Sequence, residues 1–322
     1  MEFSFDFNVE TKEEGEHLIE EKIYDLLIIG AGPAGLNAGI YAKRKGLDVG
    51  IIGKTTGGQV RDTSSVENYL GFNYMTGENL VNRFLEHVKI LEIPIVEEYI
   101  ISVDIENAIK KINTESGKVY LAKTIIIATG SKTRKLGVAG EEEFGGRGVA
   151  YCAICDGPLF KNKKVAIAGG GNSAVEAAID MSKIASEVVI VHRGQLKADQ
   201  VIIDKAKDIE NIRFMLNMQI TEIVGEKVMT GLKLKNKLDE KELFLEVDGV
   251  FVEIGYDPNT DLFKDRLKLN QKNEIEIDFK NRTNIEGVFA AGDVTSVPYK
   301  QIIISVGEGA KAALSVNDFI NN

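Results

Sequence analysis

Seven residues from Ile23 to Ile29 (IYDLLII) are apolar except for one aspartate, and Gly30 ends the run. An apolar stretch of that length, closed by a turn residue, predicts a strand buried on both faces. From Pro33 the pattern takes the helical period and holds it to about Lys45, where Gly46 closes it. A second strand is predicted over Val49 to Ile52. The same order returns later: a strand over Val165 to Ala168, a glycine turn, a helix, and a strand over Val188 to Val191. Two more apolar runs end in glycine turns, TIIIATGS at 124–131 and GVFAAGDV at 287–294. Strands alternating with helices place the chain in the α/β class.

The turns carry the first chemistry. Gly30, Gly32 and Gly35 stand at GxGxxG spacing, and Gly169, Gly171 and Ala174 at GxGxxA spacing. Each follows a predicted strand and opens a predicted helix, the context in which such glycines let a backbone approach a pyrophosphate at a helix N-terminus. The acid expected at the next strand end, to hold a ribose hydroxyl, is missing from the first unit, which ends in Gly53-Lys54. The second unit ends in His192-Arg193. Two dinucleotide loops in one chain sit naturally with one flavin and one nicotinamide cofactor. The carboxylate in Gly292-Asp293, taken alone, is only a turn former.

At 322 residues the chain suits two domains better than one. A formal net charge of −10 argues against nucleic acid or an anionic membrane surface as a partner. Residues 1–22 are acidic and lack the basic-then-apolar order of a signal peptide. No apolar run approaches the roughly 20 residues of a spanning helix. The default expectation is a cytoplasmic, thiol-reducing location, where a permanent structural disulfide is not expected.

The two cysteines, Cys152 and Cys155, stand three apart in CAICDG. That spacing fits half a zinc site, a structural staple or a dithiol that shuttles electrons. A zinc site needs about four ligands. The chain offers two cysteines and three histidines, His17, His87 and His192, so no metal is expected. Gly157-Pro158 limits any helix holding the pair to about one turn.

Taken in order, GAGPAG at 30–35, GGQ at 57–59, VEN at 66–68, ATG at 128–130, CAICDG at 152–157, GGGNSA at 169–174 and AAGD at 290–293 resemble the low-molecular-weight thioredoxin reductase family. The likeness runs from Tyr24 to the C-terminus. LKADQV at 196–201, VPYKQIII at 297–304 and GEGAKAALS at 307–315 look more like the flavoprotein branch of alkyl hydroperoxide reductase. The resemblance implies two Rossmann-like, three-layer α/β domains, the second inserted into the first. An FAD domain would span 1–132 and 259–322, with 1–22 as an extension. A nicotinamide domain carrying the dithiol would span 133–258 and rotate about hinges at 130–137 and 254–259.

By the same likeness, FAD would be held by Gly30, Gly32, Pro33, Ala34 and Gly35, by Gly57, Gly58, Gln59 and Asn68, and by Ala128, Thr129 and Gly130. Gly292 and Asp293 would hold its ribityl–phosphate region, and Gln301 and Ile302 would approach the ring. NADPH or NADH would meet Gly169, Gly171, Asn172, Ser173, Ala174, Glu176, His192 and Arg193. Cys155 would lie next to the flavin, Cys152 would attack the partner disulfide, and Asp156 would move the proton. The implied activity is thioredoxin-disulfide reduction by a homodimer.

Two departures bear on partners. The peroxide-linked branch carries an N-terminal tandem thioredoxin-fold domain, whereas about 23 residues precede the first strand here, so a thioredoxin-like acceptor is expected in trans. Members using NADPH read His-Arg-Arg after the second Rossmann strand, and here Gly194 replaces the second arginine, with Lys197 the other nearby cation. No acid marks an NADH site there. The alternatives are therefore a ferredoxin-dependent reductase, a stand-alone reductase feeding a peroxiredoxin, and a non-catalytic flavin-binding regulator. The intact GGGNSA loop ranks NAD(P)H ahead of ferredoxin.

Overall fold

The computed structural model describes residues 17–63 and 66–321, so most of the acidic N-terminal segment lies outside the described residues. The chain divides into two compact units. The first holds residues up to Asp62, Glu78–Ser131 and Pro258 onward, and the second holds Thr63–Gly77 and Lys132–Asp257.

The first unit opens with β1 (Ile23–Ile29), α1 (Pro33–Arg44), β2 (Val49–Gly53), α2 (Gly77–Ile90) and β3 (Ile95–Glu97). It continues with β4 (Ile100–Asp104), β5 (Lys110–Thr114) and β6 (Val119–Ile127). Strands β3, β2, β1 and β6 lie side by side and run parallel. The free edge of β6 is shared: its first half pairs antiparallel with β5, which pairs with β4.

The apolar run of β1 is buried on both faces because the sheet is covered on both sides. Leu26 and Ile28 pack with Leu36, Ala38 and Ile40 of α1, whereas Leu27 and Ile29 join Ile125, Ile127 and Phe263 on the other face. The period-2 alternation of a strand produces this division.

The second unit contains β7 (Ser131–Thr133, at its boundary), β8 (Val149–Ala150), α3 (Ala153–Asp156), β9 (Lys164–Ala168), α4 (Asn172–Met181) and β10 (Glu187–His192). It goes on through α5 (Gln200–Lys207), β11 (Ile212–Leu216), β12 (Met218–Gly225), β13 (Met229–Asn236), β14 (Glu242–Glu246), β15 (Gly249–Val252) and β16 (Tyr256–Pro258). Its main sheet has the order β11-β10-β9-β15-β8, all parallel. Val165 and Ile167 face α4 through Ala174, Val175 and Ala178. Ala166 and Ala168 face the antiparallel sheet β12-β13-β14 through Met218, Ile220, Leu232 and Leu234.

The chain then returns to the first unit with β17 (Val288–Ala290), which pairs with the second half of β6, and α6 (Ile302–Asn321). The mixed α/β architecture, with two sheets built around parallel strands and each covered on both faces, is the one expected from the sequence. One segment groups differently from the expected boundaries: Thr63–Gly77 belongs to the unit that carries the cysteines. The reason is local contact, since Asn68 and Glu67 meet the dithiol helix.

Candidate active site

In the second unit all five main-sheet strands run in one direction, so their C-terminal ends share one edge. Ligands of open α/β sheets bind at such an edge. Residues just past four strand ends gather there: Cys152 after β8, Glu253 after β15, the glycine loop 169–171 after β9, and Arg193 after β10.

Cys152 and Cys155 form a disulfide with a Cα–Cα distance of 5.3 Å, and both are half-buried. Cys152 caps α3, and its Sγ accepts from Cys155 N–H at 3.2 Å. The helix is four residues long, and Gly157–Phe160 follows as a 3-10 turn with its proline in the first turn, as Gly157-Pro158 predicts. A Cβ on Gly157 would stand 2.9 Å from Met181 Sδ, so the turn is packed tightly on α4. Ile154 is 63% exposed and Leu159 51% exposed, which leaves apolar side chains in solvent beside the sulfurs.

Asp156 completes the group. Burial pushes its carboxyl up to about 6, and the charge of Glu67 adds to the rise. Asn68, expected at the flavin, lies in this unit with its amide nitrogen 4.0 Å from Cys155 Sγ.

The second glycine loop has three different glycine environments. Gly169 has φ +156°, and a Cβ there would meet Glu253 O at 2.2 Å. Around Gly171, the N-cap of α4, a Cβ would meet nothing within 4 Å. Ala174 is fully buried. A tight turn, an open backbone and a packed helix are the three roles of the fingerprint, and the open position is the cradle a phosphate needs.

Asn172 is clasped to Asp199, donating to its carboxylate at 2.9 Å and accepting from its N–H at 2.8 Å. Ser173 and Glu176 are exposed. His192 packs across Gly170, where a Cβ would stand 2.6 Å from its ring. Burial, then the charges of Arg193 and Lys197, hold its pKa below the usual histidine value. Arg193 and Lys197 are both exposed, and Lys197 N–H donates to Gly170 O at 2.7 Å, which ties this cationic stretch to the loop.

The first unit repeats the design. Gly30 has φ +114°, and a Cβ there would lie 2.2 Å from Ala128 O. Gly32, the N-cap of α1 with Pro33 following, faces open space, whereas a Cβ on Gly35 would stand 1.8 Å from Gly30 O. Gly57 donates to Ala31 O at 2.8 Å, and a Cβ on Gly58 would lie 3.4 Å from Gly32 Cα, so the GGQ turn with Gln59 borders the same cradle. Thr129 and Asn259 exchange two 2.8 Å hydrogen bonds beside Gly130.

Gly292 lies 2.9 Å, measured from its would-be Cβ, from Ala34 Cβ. Asp293 accepts from Ser305 Oγ at 2.9 Å, and burial raises its pKa against the opposing effects of Ser305 and Lys300. Gln301 O accepts from Ser305 N–H, and Ile302 begins α6.

Residues 24–309 match the family model described as pyridine nucleotide-disulphide oxidoreductase. The chain belongs to that family. It is 43% identical over 315 residues to the F component of alkyl hydroperoxide reductase from Escherichia coli, covering 96% of this chain and 60% of that protein. The chain thus spans about 60% of the length of the curated relatives it matches.

Among solved structures it resembles thioredoxin reductase from Streptococcus pyogenes, with a TM-score of 0.88 at 36% identity over 93% of this chain and 98% of the other. Thioredoxin reductase from Giardia duodenalis gives a TM-score of 0.89 at 32% identity, covering 94% and 100%. The family uses FAD and NAD(P)H. The two open cradles at Gly32 and Gly171, each at a helix N-terminus, fit the pyrophosphates of such groups.

Three acidic residues are absent from the expected site, although one of them, Glu67, stands within the VEN motif at 66–68. Glu97 is in register with Gly53, which sets a carboxylate beside the strand end where the ribose-holding acid is missing. It accepts from Thr56 N–H at 2.9 Å and Oγ1 at 2.5 Å. Glu67 acts on Asp156, and Glu253 on α3. No local motif marks Glu97 or Glu253, because each arrives by pairing or packing across the chain.

Proposed function

We propose that this protein is an FAD- and NADPH-dependent thioredoxin-disulfide reductase, whose Cys152–Cys155 pair reduces a thioredoxin-like protein by dithiol–disulfide exchange. The carrying observation is the half-exposed CxxC disulfide beside a carboxyl that burial pushes up to about 6, on the same sheet edge as a dinucleotide cradle. FAD, when bound, accepts hydride from the nicotinamide and passes electrons to a disulfide.

The first cradle, Gly30 to Gly35 with Gly57 to Gln59, Ala128 to Gly130, Gly292, Asp293, Gln301 and Ile302, would hold that flavin. The second, Gly169 to Ala174 with Glu176 and His192, would hold the nicotinamide cofactor. Arg193 and Lys197 would grip a 2′-phosphate, because exposed cations at this strand end suit phosphate and no acid there suits a ribose diol.

Once reduced, Cys152 attacks one sulfur of the partner disulfide as a thiolate, and the other partner sulfur leaves and takes a proton. Cys155 then displaces the bound partner sulfur and restores the Cys152–Cys155 bond, so two electrons and two protons have moved to the partner. The Cys155 N–H on Cys152 Sγ favours charge on Cys152 and supports its role as attacking thiol. Asp156, protonated below about 6, supplies the proton to the departing thiolate. Exposed Ile154 and Leu159 offer the partner an apolar footing.

A peroxiredoxin-linked acceptor is the second reading, favoured by the 43% identity to the F component of alkyl hydroperoxide reductase. The test is anaerobic reduction of the flavoprotein by NADPH, followed by mixing with an oxidised thioredoxin or an oxidised peroxiredoxin-reducing disulfide protein. Flavin reoxidation by thioredoxin supports the first reading, and reoxidation only by the other protein selects the second. Bleaching by reduced ferredoxin alone overturns the nicotinamide assignment.

A further inference from the structure

Glu253 has no part in the exchange described above, yet it joins its two halves. Its N–H donates to Ala168 O at 2.8 Å, at the end of the strand that leads into the second glycine loop. Its own carbonyl oxygen is the atom that a Cβ on Gly169 would meet at 2.2 Å. β15 pairs with β8 through Val250↔Val149 and Phe251↔Ala150, so the next residues of both strands, toward Glu253 and Cys152, leave the sheet side by side. The backbone N–H of Ala153, the residue that follows Cys152 and opens α3, acts on the Glu253 carboxylate and favours its charged form.

We propose that Glu253 is a positioning residue of the dithiol, whose carboxylate holds the first peptide of α3 and restrains ionisation of the Cys152 thiol by its charge. This rests on the reading of Cys152–Cys155 as the redox pair. The N–H groups of this turn are the donors available to a Cys152 thiolate, and Cys155 N–H already reaches its sulfur. A carboxylate that engages the neighbouring N–H both occupies a donor and repels a second negative charge in the same turn.

Burial pushes the Glu253 carboxyl up to about 7, with the Ala153 N–H opposing the rise, so its charge is present above neutrality and fades below it. The other ionisable groups on the bordering elements are Asp156 with Glu67, the Tyr151–Glu141 pair before α3, and His192 over Gly170. Glu253 is also tied through its backbone to Ala168, the residue before Gly169, so one residue borders both the nucleotide loop and the dithiol turn.

The experiment uses the reduced FAD-loaded protein and its Glu253→Gln variant, whose amide oxygen can still face the Ala153 N–H. The rate of Cys152 alkylation by iodoacetamide is followed from about pH 5 to 9, and the dithiol–disulfide equilibrium is measured against glutathione. Glu253→Gln is expected to shift the alkylation profile toward acid, with alkylation several-fold faster than in the wild type near pH 8, where the wild-type carboxylate is charged, and nearly equal rates at pH 6, where it is protonated. At pH 9 the equilibrium should move roughly threefold to tenfold toward the dithiol, or about 15–30 mV.

Profiles and equilibria that superimpose on the wild type overturn the proposal, since a purely structural carboxyl leaves both unchanged. The wild-type profile supplies an independent check: it should deviate from a single ionisation near pH 7, and a simple one-proton curve counts against Glu253. Failure of the enzyme to reduce any thioredoxin-like protein while the Glu253→Gln shift is present would fault the functional reading and leave this one standing.

Discussion

Asp156 keeps its proton to a higher pH than an aspartate in water because burial penalises its charged form and Glu67 adds a like charge. The sign for stability follows from proton binding. Between the unfolded value of 3.8 and the folded value of about 6, the native state holds more protons than the unfolded one, so stability falls as pH rises through that window. Asp156→Asn removes the penalty. At pH 8 it should be more stable than the wild type, by on the order of 2 kcal/mol, and the difference should vanish near pH 4 in urea titrations at the two pH values.

The same substitution removes the proposed proton donor. Transfer to an oxidised thioredoxin should slow by about tenfold to a hundredfold or more, while flavin bleaching by NADPH keeps its rate in stopped-flow traces. Equal slowing of both phases would count against a proton role. The motif CAICDG announces Asp156, but the rise in its pKa comes from burial and then from Glu67, 89 positions earlier, and no spacing rule reveals either.

The two glycine loops separate folding from binding within a single turn. Gly35 touches the Gly30 carbonyl so closely that any Cβ, 1.8 Å away, must push α1 off β1. Gly32 has an extended backbone that any residue adopts and an empty space where a side chain would go. Gly35→Ala should therefore lower the melting temperature of flavin-free protein by several degrees. Gly32→Val should leave that temperature nearly unchanged while the purified protein loses most of its flavin, read as the ratio of visible to ultraviolet absorbance. Gly171→Val carries the argument to the second loop: flavin content stays normal and the KM for NADPH rises.

Both loops were legible in the sequence because strand, turn and helix are contiguous there. The Gly157-Pro158 stop after the cysteines was legible for the same reason. Glu97 was not, because only the β2–β3 register brings it to Gly53. The grouping of Thr63–Gly77 with the dithiol unit and the antiparallel sheet β12-β13-β14 are likewise products of pairing that local periodicity does not specify.

Across the whole chain, the dithiol and the second cradle are built on one parallel sheet, and the first cradle on the parallel strands of a second, mixed sheet. Each unit has its own core on both faces of its sheet, so a change at the sulfurs leaves the first cradle intact. The electron inventory of the molecule then follows from its parts. A bound flavin takes up two electrons, and the Cys152–Cys155 disulfide takes up two more on becoming a dithiol.

Anaerobic titration should therefore consume about two equivalents of NADPH per chain before free NADPH accumulates, and about one in the Cys152→Ser/Cys155→Ser protein, which retains the flavin but no disulfide. Arg193→Ala should leave both endpoints where they are, because the endpoint counts acceptors and not affinity. It should raise the KM for NADPH by roughly tenfold or more and barely move that for NADH, if the cation grips a 2′-phosphate. An endpoint of one equivalent in the wild type would mean that the disulfide lies outside the electron path, and the thioredoxin-reducing role would fall with it.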